Sequence, residues 1–189
     1  MLIKLLIGIL GVVVFLAIAI ATRAKTFRVE RSILVNATAD VVFPYINDFH
    51  LWPRWSPFEK LDPTLQRTYG GAAAGEGATY EWLGNREAGQ GRMVIIESKP
   101  AEVVRIDLFF LKPFKSTSLS EFSFAPATGG TKVTWAMSGN NTVAGKAISL
   151  VASMDKYLGN AFEEGLANLK REAEQQQGWQ RASCGLRRG

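Results

Sequence analysis

The best candidate for acid–base chemistry in this chain is Asp155. It lies between Val151 and Leu158, on the apolar side of a long amphipathic helix that the sequence predicts. A carboxyl that is removed from water has a raised pKa, and such a group can act as a general acid or base. We therefore take Asp155 as the candidate catalytic residue. The alternative is a boundary residue that is hydrogen-bonded or in contact with water.

Other catalytic and metal-binding arrangements have little support. Cys184 and His50 are the only cysteine and the only histidine, which excludes an intrachain disulfide, a cysteine metal site and a multi-histidine site. No nucleophile motif, phosphate-binding glycine loop or metal-ligand spacing occurs, and we predict neither a metal nor a cofactor. We interpret His50, Asn85 and Arg92 as a solvated loop residue, a turn residue and a surface charge.

The positive charge of the chain lies mostly at its ends. The formal net charge is +5, and Lys4, Arg181, Arg187 and Arg188 belong to the termini. Without these four, 18 of the 22 basic residues remain against 17 acidic ones. The central part is therefore nearly neutral and has no basic stripe with interleaved aromatic residues, so we predict no binding of nucleic acid.

Large apolar side chains recur at every second position of successive segments, which places them on one face of a sheet. Large cavities that hold lipophilic ligands are lined by such side chains, although an ordinary core is the alternative for any one of them. We predict a cavity for a hydrophobic small molecule or lipid, lined by Trp52, Trp55, Tyr80, Trp82, Met93, Ile95, Leu108, Phe122, Phe124, Trp135, Met137, Val151, Asp155 and Leu158.

Strands must position most of these residues. Period-two patterns bounded by turn signals predict strands over 27–36, 65–69, 77–83, 90–97, 102–110, 117–124 and 131–138. The connections between the last six are short and lack helices, so these strands should be antiparallel neighbours. Thr38 is the predicted N-cap of a short helix limited by Pro44. The aromatic loop 49–58 follows it.

A long helix over 142–174 is predicted to cover the apolar face of the sheet. Ile148, Phe162, Leu166 and Leu169 recur at helical spacing, and Thr142 is the predicted N-cap. We therefore expect a globular domain over residues 25–175. Residues 176–189 are predicted to form a flexible basic tail.

The first segment is predicted to contact a membrane. Residues 5–21 contain no charged or polar side chain, and Lys4, Arg23, Lys25 and Arg28 flank them. The apolar run from residue 2 to 21 approaches the length of about 20 residues that crosses a bilayer, so we favour one transmembrane anchor over residues 1–24 with the domain weakly favoured on the cytoplasmic side. The alternative is a signal peptide cut after Ala21, which would make the domain secreted or periplasmic.

Several short stretches resemble a known superfamily. They are residues 31–33 (RSI), 42–48 (VFPYIND), 52–57 (WPRWSP), 80–85 (YEWLGN), 91–93 (GRM), 112–114 (KPF), 130–135 (GTKVTW) and 162–170 (FEEGLANLK). Together they resemble the START-like (SRPBCC) superfamily, in its polyketide cyclase/dehydrase branch, over about residues 27–172. The resemblance implies an α+β helix-grip fold, in which a curved seven-stranded antiparallel sheet surrounds a long C-terminal helix.

The resemblance leaves the activity open, because the superfamily holds enzymes, lipid carriers and binding proteins. Three hypotheses follow. The first is a membrane-anchored module that binds a hydrophobic small molecule or lipid. The second is an enzyme of the cyclase or dehydrase kind, and the third is a protein-interaction or stress-related membrane module. A cavity of at least roughly 300 Å³ favours the first, and a solid interior favours the third.

Overall fold

The computed structural model describes residues 24–140 and 154–186, together with residues 10, 11, 14, 15 and 20–22. Between residues 24 and 186 these ranges contain seven strands, two short 3₁₀ helices and two α-helices. In chain order the elements are β1 (Thr26–Val35), α1 (Ala39–Asn47), the 3₁₀ helices Phe49–Arg54 and Pro57–Lys60, β2 (Gln66–Gly71), β3 (Ala78–Leu83), β4 (Gln90–Lys99), β5 (Val103–Lys112), β6 (Ser116–Ala127), β7 (Gly130–Asn140) and α2 (Met154–Leu186).

The described strands form one antiparallel sheet in the order β1-β7-β6-β5-β4-β3-β2. Strands β2 to β7 are consecutive hairpins, as their short connections predict. The chain then returns to its beginning, because β1 pairs with β7 along its whole length, from Thr26 opposite Asn140 to Val35 opposite Thr131. The predicted strands are confirmed, and a seven-stranded curved antiparallel sheet with a C-terminal helix fits the helix-grip fold.

One face of the sheet is buried and the other is wet. On β6 the side chains of Ser118, Ser120 and Phe122 are buried while the residues between them are less so, and on the outer face Glu81 and Arg92 are exposed. This is the alternation expected of an antiparallel sheet that covers a core on one side only.

The aromatic loop is attached to α1 by two indole hydrogen bonds. Trp52 Nε1 donates to the carbonyl oxygen of Ile46 at 3.0 Å, and Trp55 Nε1 donates to that of Tyr45 at 2.8 Å. The predicted cap of α1 is wrong in its detail, since the Thr38 side chain makes no capping hydrogen bond. The backbone N–H of Thr38 donates instead to Gln177 Oε1 of α2 at 3.2 Å.

Helix α2 packs beside β1 and covers the core with Phe162, Leu166, Leu169 and Ala173, all buried. Polar contacts follow the same path: Glu163 accepts from Arg31 Nε at 2.8 Å, and Glu174 accepts from the backbone N–H of Asn36 at 2.8 Å. Glu174 and Gln177 both bind the segment after β1, so the helix still has a partner three residues beyond its predicted end.

The structure describes only one of the two predicted boundaries of this helix, its end. Its predicted start, from Thr142 through Ile148 and Val151, lies outside the described residues. The predicted flexible tail over 176–189 is corrected, because α2 continues to Leu186. Gly178 does not stop it, which is consistent with the modest cost of a glycine inside a helix, about 1 kcal/mol.

The predicted membrane segment lies mostly outside the described residues, which include only positions 10, 11, 14, 15, 20 and 21 of it. Among the residues described, no helix combines the length and the apolar character needed to cross a bilayer.

Candidate ligand cavity

A cavity of about 350 Å³ lies between the inner face of the sheet, the 3₁₀ helices and the first turn of α2. Its volume falls within the roughly 300–1,000 Å³ that is typical of small-molecule sites. Rings and aliphatic side chains form most of the wall, and a small number of polar groups interrupt it. The described lining comprises Phe27, Trp52, Ser56, Phe58, Glu59, Leu61, Leu65, Tyr80, Trp82, Glu87, Ala88, Met93, Leu108, Phe110, Ser116, Ser118, Ser120, Trp135, Met137, Asn140, Tyr157 and Leu158.

Most of the predicted cavity residues are brought together here. Strands β3, β4, β5 and β7 each contribute inward side chains, the first 3₁₀ helix contributes an indole, and α2 contributes one leucine. The predicted residues that line the cavity are Trp52, Tyr80, Trp82, Met93, Leu108, Trp135, Met137 and Leu158.

Four predicted residues are buried but do not line the cavity: Trp55, Ile95, Phe122 and Phe124. They fill the other part of the interior. The Phe122 ring stacks on Trp135 at 4.9 Å between centroids, and Phe124 packs against Phe43 at 5.7 Å. Alternation identifies the face of a strand but not where the interior is open, so these residues are core. Val151 lies outside the described residues.

Asp155 is corrected as the catalytic candidate. Its side chain is 62% exposed, forms an ion pair with Arg31 at 3.1 Å, and does not line the cavity. The hydrogen bond from Arg31 holds the pKa of the Asp155 carboxyl below its usual value, which is the opposite of the predicted shift. The absence of a side chain at Gly159 makes room for the Arg31 guanidinium, which a Cβ atom there would contact.

The cavity wall contains a charged residue that was not predicted from the sequence. Glu59 has a side chain that is only 7% exposed. It accepts a hydrogen bond from the Tyr80 hydroxyl at 2.6 Å and one from Arg67 Nε at 2.7 Å. Burial, followed by the neighbouring Glu59, raises the pKa of Tyr80 well above its usual value. Tyr80 therefore remains a neutral donor, and Arg67 balances the carboxylate charge.

Three serines of β6 form a row on the inner face: Ser116, Ser118 and Ser120. Ser120 Oγ accepts from Trp135 Nε1 at 2.9 Å. Ser118 is 7% exposed and Ser56, which immediately precedes the second 3₁₀ helix, is 2% exposed, and both line the cavity. Period-two alternation back from Phe122 would have placed the row inward, so this signal was present in the sequence.

Close backbone packing shapes the rim beside β3. The Trp82 indole lies directly over Gly91, where a Cβ atom would collide with the ring, and its Nε1 donates to the Ala88 carbonyl at 2.9 Å. Asn85 Oδ1 accepts from the backbone N–H groups of Glu87 and Ala88 at 2.8 and 3.0 Å, which orders the β3–β4 turn. Asn85 is thus a turn residue, as the sequence predicts.

Two other residues considered from sequence lie away from the cavity. His50 is exposed, its ring stacks on Tyr69 at 4.1 Å, and its Nδ1 lies 2.8 Å from an oxygen of Asp48. Arg92 is exposed on the outer face of the sheet. Neither residue lines the cavity.

The opening of the cavity is marked by its exposed lining residues, Glu87, Asn140 and Tyr157. Asn140 ends β7 opposite Thr26, and Lys112 at the end of β5 lies opposite Gln90 at the start of β4. The start of β1 and the β3–β4 and β5–β6 turns therefore share this end of the sheet.

Solved structures with the same fold are distant in sequence. A di-domain ARO/CYC protein, BexL, from the BE-7585A biosynthetic pathway aligns with a TM-score of 0.60 at 16% identity, over 84% of this chain and 53% of that one. A protein from Rhizobium leguminosarum aligns at 0.58 and 16%, over 81% and 97%. The Aha1 dimer protein from Colwellia psychrerythraea aligns at 0.56 and 13%, over 78% and 96%. At these identities the likeness shows the fold alone.

A family model described as polyketide cyclase / dehydrase and lipid transport matches residues 26–174, which is most of the chain. The match begins at β1 and ends within α2, so it includes every strand of the described sheet. A search of curated proteins found no match.

Proposed function

Because this chain belongs to the polyketide cyclase / dehydrase and lipid transport family, we propose that its cavity binds a hydrophobic small molecule or lipid. The observation that carries the proposal is the void of about 350 Å³ lined mainly by rings and aliphatic side chains. Burial of apolar ligand surface supplies roughly 25 cal/mol per Å². An interior that was solid would instead have favoured recognition of another protein.

The polar groups of the wall restrict the ligand further. The side chains of Ser118 and Ser56 line the cavity, and a ligand that excluded water from these hydroxyls without hydrogen-bonding to them would bind less tightly. Glu59 already accepts from Tyr80 and Arg67. We therefore infer a ligand with an apolar body and at least one oxygen or nitrogen function placed beside the serine row.

We infer that the apolar segment over residues 2–21 attaches the proposed binding domain to a bilayer. It has no polar side chain from residue 5 to 21, and Arg23, Lys25 and Arg28 follow it. In this proposal the segment is a single-pass anchor with the domain on the cytoplasmic side, and a cleaved signal with a secreted domain is the alternative. Lipophilic ligands partition into bilayers, so a tethered cavity would be close to its supply.

Mass spectrometry of compounds that co-purify with the full chain tests the binding proposal. Detergent-purified protein and its Leu108→Trp variant, in which the new ring occupies the cavity, are extracted with organic solvent in parallel. Lipids held around the apolar segment should be equal in both samples. We expect one compound class to be enriched in the wild-type sample. Identical extracts, together with no binding by a panel of fatty acids and polycyclic aromatic compounds, would contradict the proposal.

An enzyme of the cyclase or dehydrase kind is the second candidate, and the Glu59–Tyr80 pair favours it. A carboxylate and a neutral phenol that meet at 2.6 Å on an apolar wall can accept and donate protons at a bound carbonyl compound. If this holds, a poly-β-ketone thioester should turn over with the wild type and lose at least about 100-fold in rate with Glu59→Gln. The dissociation constant of the thioester should change little in the Glu59→Gln variant. Asp155→Asn is the matched control and should retain the wild-type rate, and a wild-type rate equal to that of buffer would exclude this candidate.

A further inference from the structure

Exposed apolar side chains are concentrated at the open end of the cavity. Ten large hydrophobic residues are exposed in the described part of the chain, and three of them belong to the N-terminal segment. Four of the remaining seven are Leu83, Leu111, Phe114 and Tyr157. Leu83 precedes the β3–β4 turn, Leu111 and Phe114 flank the tip of the β5–β6 hairpin, and Tyr157 lines the cavity mouth.

The β5–β6 tip is both apolar and basic. Residues 111–115, Leu-Lys-Pro-Phe-Lys, are all exposed, and Phe114 is 59% exposed. No acidic residue occurs from 108 to 120, whereas Lys112 and Lys115 lie within the tip. The neighbouring β3–β4 turn adds one charge of each sign, Arg86 and Glu87. The rim is therefore positive overall, with large apolar side chains among the lysines.

The N-terminal apolar segment reaches the domain at this same end. The domain begins at Thr26, which pairs with Asn140 at the mouth of the cavity. Only residues 22–25 separate Thr26 from the apolar run that ends at residue 21. Four residues span at most about 14 Å. A bilayer that holds the apolar run would therefore lie within reach of the β5–β6 tip.

We propose that this face is a membrane-docking surface, in which Leu111 and Phe114 insert among the headgroups of an anionic phospholipid bilayer and aim the cavity mouth at its acyl chains. The inference rests on the membrane placement in the proposed function. Apolar side chains beside lysines fit an anionic interface, because the ring enters the acyl boundary while each lysine remains near the phosphates. Each basic residue close to such a surface adds to the electrostatic attraction.

Quenching by brominated lipids tests the docking. The full chain carries Cys184→Ser and Phe114→Cys, is labelled with an environment-sensitive fluorophore, and is reconstituted in phosphatidylcholine–phosphatidylglycerol vesicles with bromine on the acyl chains. The matched control is Ile96→Cys in the same background. Ile96 is an outward, 42% exposed residue of β4, far along the sheet from the mouth. We expect strong quenching at position 114 and little at position 96.

The possible failures are distinguishable. Vesicle-bound protein in which both labels are equally unquenched would overturn the docking and leave the anchor intact. Protein that does not associate with vesicles would overturn both the anchor and the docking, while ligand binding in detergent would still test the cavity. Energy transfer between labelled chains, with no quenching by lipid, would show that a second copy covers this face and would also overturn the docking.

A further variant tests whether the lysines of the β5–β6 tip contribute to the docking. Replacing Lys112 and Lys115 by glutamate should reduce the quenching of the position-114 label in the anionic vesicles and leave the affinity of the cavity for a neutral dye unchanged. Undiminished quenching in this double variant would contradict the anionic preference.

Discussion

Replacing Trp135 by alanine should lower the free energy of unfolding by about 3–5 kcal/mol, the range for removing a large aromatic side chain from a core. Trp135 is 1% exposed and stacks on Phe162 of α2 with centroids 4.1 Å apart. It also stacks on Phe122, and its Nε1 donates to Ser120 Oγ. The ring thus joins the sheet to the helix. Alanine would remove the ring on which Phe162 stacks, while Phe122 would keep its edge contacts with Trp52 and Trp55.

Urea unfolding followed by circular dichroism, in one detergent throughout, measures this effect. Trp179→Ala is the matched control, because Trp179 is 74% exposed near the end of α2. We expect its unfolding midpoint to equal that of the wild type. Equal losses for the two variants would show that the stacking of Trp135 on Phe162 does not hold α2 to the sheet.

Leu108→Trp should reduce the affinity for the neutral dye N-phenylnaphthylamine by roughly 100-fold, which corresponds to about 2.8 kcal/mol. Leu108 is 5% exposed and points into the cavity from the middle of β5, opposite Ser118. The larger ring can occupy the void that the ligand needs. Since space is present, the cost in stability should stay near the low end of the 1–3 kcal/mol that is usual for overpacking.

Fluorescence titration measures the affinity, with Leu119→Trp as the matched control. Leu119 lies on β6 opposite Asp107, on the outer face of the same hairpin. An indole there adds the same chemical group without entering the cavity, so we expect wild-type affinity. A Leu108→Trp variant that is folded and binds the dye as tightly as the wild type would show that the dye binds elsewhere.

The strands and the inward set were largely predictable because one physical rule governs them. A sheet with one wet face forces alternation, so Tyr80, Trp82, Met93 and Leu108 could be assigned to the inner face without a structure. Whether an inward side chain meets a void or another side chain depends on the curvature of the sheet and on the elements that cover it. Ile95 and Phe122 obey the same alternation and are packed solid.

The electrostatics of the site were not predictable, because they depend on contacts between distant parts of the chain. Asp155 was assigned by helical phase alone, and its pKa is set by Arg31, 124 positions earlier. Glu59 lies in a short 3₁₀ helix that shows no useful periodicity, and its burial follows from its contacts with Arg67 and Tyr80. The contact of Gln177 with Thr38, the residue before α1, likewise joins distant parts of the chain.

Because β1 pairs with β7, the first strand cannot pair until the last strand has been synthesised. Val35 leaves the ribosome 95 positions before Gly130, the first residue of its partner strand. At about 5–20 residues per second, translation leaves the first strand unmatched for roughly 5–20 s. During that time its hydrogen-bonding edge is open to foreign strands, immediately after an apolar segment has emerged. A nascent chain stalled before residue 130 should therefore require a chaperone, and one released after residue 140 should not.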